Sequence, residues 1–266
     1  MSQPAAEFTT VTAEEVEAVQ IVVTDEEFAV LFESAPGALA RVFPDDLPTP
    51  GPPVRSAIRR SLVARRALWD RGDGSEVLVA EPWASLLRLA GGASPWARVT
   101  ASGEDARAAV FVAGAEELLV IERDPRGINT VTFLPAHLTA AAVAEALIDE
   151  RGELDVEIEP AGSVMLLAEA FDTGAALLAE GHEDEARAKL GPEAFTFVNG
   201  AGAHFRLETS RQRSENEATG LDVSIYAAYD MGWVLTLPVE GAPEQLELRS
   251  VDDEGLVAFI GEQLLS

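Results

Sequence analysis

The chain has 266 residues, 47% of them hydrophobic, which is enough to bury a cooperative core in one large domain or two small ones; it has no cysteine, which excludes disulfides, zinc-thiolate sites, iron-sulfur clusters and thiol nucleophiles. Its formal net charge is -27, from 46 acidic and 19 basic residues, a field that repels nucleic-acid phosphates and anionic membranes, so neither is expected as a partner. The first residues, MSQPAAEFTTVTAEEVE, lack a basic n-region and an apolar h-region, and no run approaches the ~18 apolar residues of a membrane span, so a cytoplasmic location is expected.

In chain order, Val16 to Val23 is apolar and β-branched and predicts a strand. Thr24 to Glu27 then forms a capping-box pattern, and the helix it opens should bury Phe28, Leu31 and Phe32. FPDDLPTPGPP, residues 43 to 53, excludes a regular element through its prolines. From Val54 to Trp69 apolar residues recur at helical spacing, as in Val54, Ile58 and Leu62. The same segment carries Arg55, Arg59, Arg60, Arg65, Arg66 and, just beyond it, Arg71. Such a helix either folds back on acidic surface of its own chain or docks an acidic partner.

Asp73-Gly74 marks a turn, and Pro82 opens a second helix through Trp83, Leu86, Leu87 and Leu89 to Gly91. Strands are predicted at 107 to 113, 117 to 123 and 129 to 134, followed by a helix from Ala136 to Gly152. In the second half, Ser163 to Gly191 reads as two helices broken near Gly181, the first carrying Leu166, Leu167, Ala170 and Phe171. Strands follow at 195 to 198, 203 to 209, 222 to 229, 232 to 238 and 245 to 250. A terminal helix is then capped by Ser250, with Asp253 three residues on.

At an offset of 115 the halves match in type without a gap: Phe111 with Tyr226, Leu118 with Trp233, Leu119 with Val234, Val131 with Leu246 and Phe133 with Leu248. The pattern implies an α+β fold, a central and mostly antiparallel sheet with a pseudo-twofold internal duplication and helices packed on it. It is one domain of two similar halves, 1–152 and 153–266.

No catalytic motif is present. His137, His182 and His204 sit in different predicted elements without metal-ligand spacing, and nucleophile-elbow, Walker A and GxGxxG patterns are absent. Asn199-Gly200-Ala201-Gly202 is a hairpin signal before it is a phosphate cradle. No catalytic, cofactor or metal residue is therefore assigned, and a non-enzymatic binding protein is expected.

Across nearly its full length the chain resembles the EspG family, cytoplasmic chaperones of type VII (ESX) secretion in actinobacteria. The resemblance rests on VTDEEFAVLFESA, SLVARRALWDRGDG, EPWASLLRLAGGASPWARV and ARAAVFVAGAEELLVIERDPRGINTVTFLPAHLTAAAVAEAL, and on the closing DVSIYAAYDMGWVLTLPVEGAPEQLELRSVDDEGLVAFIGEQLL. The chain departs from that family in its acidity and in ETSRQRSENEATG, residues 208 to 220, a polar stretch expected to be mobile until a partner orders it.

The resemblance implies no catalysis and the binding of PE/PPE heterodimers, whose apolar tip the chaperone masks. It also implies docking on the second half, where Phe195, Phe197, Tyr226, Tyr229 and Trp233 are the candidate contact residues. Strand parity allows at most two of them to be exposed. The net charge supports two other readings, an acidic immunity or inhibitor protein and a halophilic enzyme.

Overall fold

The computed structural model describes residues 19–34, 47–70, 76–78, 82–91, 95–101, 108–151, 161–199, 201–214, 217–228 and 232–265. The turn expected at Asp73-Gly74, the strand residues 16 to 18 and the candidate Tyr229 lie outside the described residues.

Among the described residues, ten strands form one antiparallel sheet: β1 (Val19–Thr24), β4 (Trp96–Ala101), β5 (Ala108–Ala113), β6 (Glu117–Arg123), β7 (Ile128–Pro135), β8 (Ser163–Leu167), β9 (Ala201–Ser214), β10 (Glu217–Ala228), β11 (Gly232–Val239) and β12 (Ala242–Val251). A separate two-stranded ribbon joins β2 (Leu68–Asp70) to β3 (Glu76–Leu78). The order across the large sheet, β1-β7-β6-β5-β4-β9-β10-β11-β12-β8, reads the same way from either edge. Hairpins built from β4 to β7 face hairpins built from β9 to β12, and β1 and β8 close the two ends. This is the pseudo-twofold α+β architecture expected from the duplicated strand pattern, with β4 and β9 meeting at the dyad.

The α-helices are α1 (Asp25–Leu31), α2 (Pro52–Ala64), α3 (Trp83–Gly91), α4 (Thr139–Arg151), α5 (Ala168–Ala179), α6 (Glu183–Leu190), α7 (Pro192–Asn199) and α8 (Asp253–Leu265). α4 and α8, which end the two halves, lie together on one sheet face. Their Val143, Leu147, Leu256 and Ile260 bury with Ala97, Val99, Phe111, Phe205, Leu207, Val223, Ile225 and Trp233 of the strands. On the other face α1, α2 and α3 cover β1 and β5 to β7, while α5, α6 and α7 cover β8 and β10 to β12.

Local chemistry explains the first helix. Thr24 Oγ1 accepts from the Glu27 amide, and Glu27 Oε2 accepts from the Thr24 amide, completing the capping box. Asp25 is clasped by Arg123 at 2.6 Å and by Asn129 Nδ2 at 2.8 Å, which ties the start of α1 to the β6–β7 hairpin. α2 folds back on acids of its own chain: Arg55 and Arg59 reach Glu33, and Arg65 reaches Glu27 at 2.8 Å. Of its expected apolar face, Leu62 is buried but Val54 is 53% exposed. α2 stops at Ala64, and Leu68 to Asp70 turns into β2 instead of continuing to Trp69.

Five further expectations are corrected. Residues 195 to 198 belong to helix α7, because Pro192 opens a turn and Ala194, Phe195, Phe197 and Val198 all bury at helical spacing. Residues 163 to 167 form edge strand β8, and the first helix of that segment starts at Ala168; the break at Gly181 stands, with φ of 82°. The cap of α8 is Asp252, whose Oδ1 accepts from the Gly255 amide at 2.7 Å, while Ser250 Oγ accepts from the Ala161 amide. Residues 208 to 220, except the two outside the described set, extend β9 and β10 into a long hairpin.

The fifth correction concerns the repeat, whose match is not gapless. Phe111 pairs with Val120 and faces α4 and α8, whereas Tyr226 pairs with Val234 and faces α5 to α7. Val120 corresponds to Leu235, which pairs with Ile225, so Ile225 takes the place of Phe111. One extra residue in the β10–β11 turn shifts the strand by one and reverses its faces. In the next hairpin Ile121 pairs with Val131, but its counterpart Thr236 pairs with Leu248, not Leu246. That two-residue slip keeps every side chain on its own face.

Candidate protein-docking surface

Among the described residues, the helices α1 to α3 and α5 to α7 on that face leave a window over β4, β9 and β10, around the dyad. In these strands the odd-numbered positions Ala97, Val99, Phe205, Leu207 and Val223 point into the core under α4 and α8, so the even-numbered positions point into the window. They are polar: Arg98, Thr100, His204, Arg206, Glu208, Asp222 and Ser224.

Register fixes their arrangement. Arg98 is opposite Glu208, and Glu208 is opposite Asp222, so two carboxylates face one another across β9 and β10. Like charges so placed repel. Arg206, two residues along β9 on the same face, resolves the conflict by contacting Asp222 at 2.6 Å and Glu208 at 3.3 Å, while Arg98 holds Glu208 at 3.0 Å from the other side. The Arg206 guanidinium holds the Asp222 carboxyl below its ordinary range through hydrogen bonding first and charge second, and its own pKa rises in return. Arg98 is buried, whereas the Arg206 and Asp222 side chains are 55% and 56% exposed.

Aromatic groups frame this ladder. Arg98 lies over the Trp96 ring at 5.7 Å on one side. On the other, His204 stacks on Tyr226 at 4.6 Å, and Tyr226 meets the edge of Phe171 from α5. Burial pushes the His204 pKa down, so the imidazole is neutral near pH 7.

Four candidate contact residues are buried. Phe195 and Phe197 of α7 and Tyr226 of β10 share the core beneath α5 to α7. Trp233 is fully enclosed on the opposite face, where its Nε1 donates to Asp253 Oδ1 at 2.7 Å. They therefore support the second half from within. Sequence reasoning missed Arg98, Arg206, Glu208 and Asp222. Their signal was legible as charges at alternate positions of strands whose other positions are apolar.

A cavity of about 580 Å³ beside the β6–β7 hairpin has an apolar floor that includes Val99, Ala109 and Phe205, and a rim of Arg123, Asp124 and Arg126. Asp124 is fully engaged in its own turn: Oδ1 accepts from the Arg126 and Ile128 amides, and Oδ2 from the Arg126 guanidinium. These contacts, the Ile128 bond first, hold its carboxyl below the usual range. An acid so held is a poor proton donor or acceptor near neutral pH. His137 lies in the 3-10 turn before α4, His182 in the link between α5 and α6 and His204 in β9, and no group of three His, Asp or Glu side chains that could hold a metal occurs among the described residues.

No family model matches the sequence, and no curated protein matches it. Among solved structures, the fold is similar to that of EspG5, a Mycobacterium tuberculosis type VII secretion system chaperone in complex with a PE25-PPE41 dimer. The TM-score is 0.57 at 11% identity, over 93% of this chain and 96% of that one. The fold is thus EspG-like.

Proposed function

From this EspG-like fold we propose that the chain is a non-enzymatic, cytoplasmic chaperone or adaptor of a type VII secretion system, which binds PE/PPE-type heterodimers and masks their apolar tip before export. The observation that carries the reading is the extent of the likeness, which takes in nearly the whole of both chains, the neighbour being a chaperone seen with a dimer of that kind. Masking has a plain physical logic. An exposed apolar patch above a few hundred Å² promotes aggregation, and covering it at ~25 cal/mol per Å² offsets the cost of association.

In this reading the two halves, 1–152 and 153–266, act as one unit and the partner docks on the second half. Phe195, Phe197 and Tyr226 stiffen that surface from below, Trp233 braces the sheet from the other face, and the exposed Arg206 and Asp222 contact the partner together with Tyr229.

The test is co-expression with each PE/PPE heterodimer of the host, followed by co-purification and calorimetry. A stable complex with at least one pair is expected, and Arg206→Ala or Tyr229→Ala should weaken it about tenfold or more. If no pair binds, the chaperone reading fails. The net charge of -27 favours a second reading, an acidic inhibitor of a basic protein. Its association rate would fall steeply with salt, whereas burial of an apolar tip is nearly indifferent to ionic strength.

A further inference from the structure

α2 carries Arg55, Arg59 and Arg60 and no acid, and its last turn holds the one serine of the chain that follows two consecutive arginines, Ser61. Ser61 is exposed, and its hydroxyl donates to Glu27 Oε1 at 3.3 Å. Arg65, four residues on and therefore a neighbour along the helix surface, donates to Glu27 Oε2 at 2.8 Å and to the Val22 carbonyl. Glu27 Oε2 also accepts from the Thr24 amide and completes the cap of α1. One carboxylate and one guanidinium thus tie the last turn of α2 to the first turn of α1 and to β1.

This corner is accessible and weakly anchored. Of the 13 residues of α2 only Leu62 is buried, so its last turn can open with little loss of apolar burial. Arg66, just past the helix, stands at φ of 59°, an uncommon left-handed conformation for a residue with a side chain. Arg60, directly before the serine, is exposed and makes no ion pair among the described residues, so its charge is available to an enzyme that reads arginine.

We propose that Ser61 is a phosphorylation site for an arginine-directed serine kinase, and that the phosphate releases α2 from α1 and β1. The bond from Ser61 Oγ to the γ-phosphorus of a nucleoside triphosphate forms as that phosphorus loses its bridging oxygen. Nucleoside diphosphate leaves, and the hydroxyl proton passes to the base of the kinase. Three effects then act in the same direction. The esterified Oγ no longer donates to Glu27. A charge of about -1.5 to -2 is placed beside the Glu27 carboxylate and at the negative end of the helix dipole. Arg65 turns to the phosphate, its stronger acceptor, and leaves Glu27 and the Val22 carbonyl. The inference stands apart from the identity of the partner proposed above.

The full chain is incubated with ATP and a recombinant arginine-directed serine kinase, the modified residue is mapped by mass spectrometry, and hydrogen exchange over Val19–Leu31 is compared before and after. Expected results are phosphate on Ser61, labelling at least tenfold slower in Arg59→Ala/Arg60→Ala, and exchange at least tenfold faster over Val19–Leu31 once Ser61 is labelled. Ser61→Ala should lose this label, and Ser56→Ala should keep it; both positions are exposed, so the variants should fold, which thermal unfolding verifies. In Arg65→Ala the exchange should already be fast and change less than twofold on labelling, since the contact that the phosphate breaks is gone. The proposal is overturned by an unmodified Ser61, by phosphate confined to other serines such as Ser56, or by labelling indifferent to loss of Arg59 and Arg60. It is also overturned if phosphate on Ser61 leaves the exchange of Val19–Leu31 unchanged.

Discussion

Gly174 sits where α5 crosses α6, and replacing it with alanine sets two effects of opposite sign against each other. Alanine is the better helix former by about 1 kcal/mol in a helix interior, so on propensity alone the variant is stabilised. A Cβ at this position, however, would lie 2.4 Å from Leu190 Cγ and 2.7 Å from Cδ2. Cγ is the branch point of that side chain, so the leucine cannot yield by swinging a terminal methyl; the helices must separate or Leu190 must leave its rotamer. Overpacking of this kind costs about 1–3 kcal/mol, so after the propensity gain Gly174→Ala should lose up to about 2 kcal/mol net. In a Leu190→Ala background the overlap is gone and the propensity gain remains, so the same substitution should stabilise by up to about 1 kcal/mol. Urea unfolding of the four proteins of this cycle measures both quantities. If Gly174→Ala stabilises the otherwise wild-type chain, the close packing of α5 on α6 is wrong, and with it the rigid support assigned to Tyr226 through Phe171.

Other expectations follow from single contacts. Thr24→Ala should cost about 1 kcal/mol by freeing the Glu27 amide from its cap, read by chemical denaturation. Trp233→Phe removes the bond to the Asp253 carboxylate from a fully buried site and should cost about 1.5–3 kcal/mol in the same assay. Because the folded-state pKa of Asp222 is depressed, its contribution is present above the unfolded carboxylate value of roughly 4 and is lost as pH falls through the folded value. Asp222→Asn should therefore be slightly less stable than wild type at pH 7, by well under 1 kcal/mol at so exposed a site, and the gap should close as acidification protonates the folded carboxyl. A gap that does not shrink at all as the pH is lowered would show that the Arg206 contact is not its source.

Elements dictated by neighbours in sequence were readable without the fold. The capping box at Thr24, the break at Gly181 and the hairpin strands at 117 to 123 and 232 to 238 depend on hydrogen bonds or backbone freedom within a few residues, and the duplicated strand order follows from repeated apolar alternation. What the sequence left undetermined was settled by contacts made at a distance. Phe195 and Phe197 by themselves suit a strand or a helix equally, and packing against Tyr226 and Leu248 completes the helix α7 that Pro192 opens. One residue inserted in a turn leaves composition untouched yet turns Tyr226 to the face opposite Phe111, since side chains alternate with period two. β8, a short strand that local pattern did not separate from its surroundings, owes its existence to β12, more than 70 residues away along the chain, and β4, though it pairs with the nearby β5, gains its second partner only from the distant β9. The window is likewise a product of register: Arg98, Glu208, Arg206 and Asp222 come from three strands, and nothing in their local sequence states that two carboxylates meet with one arginine between them.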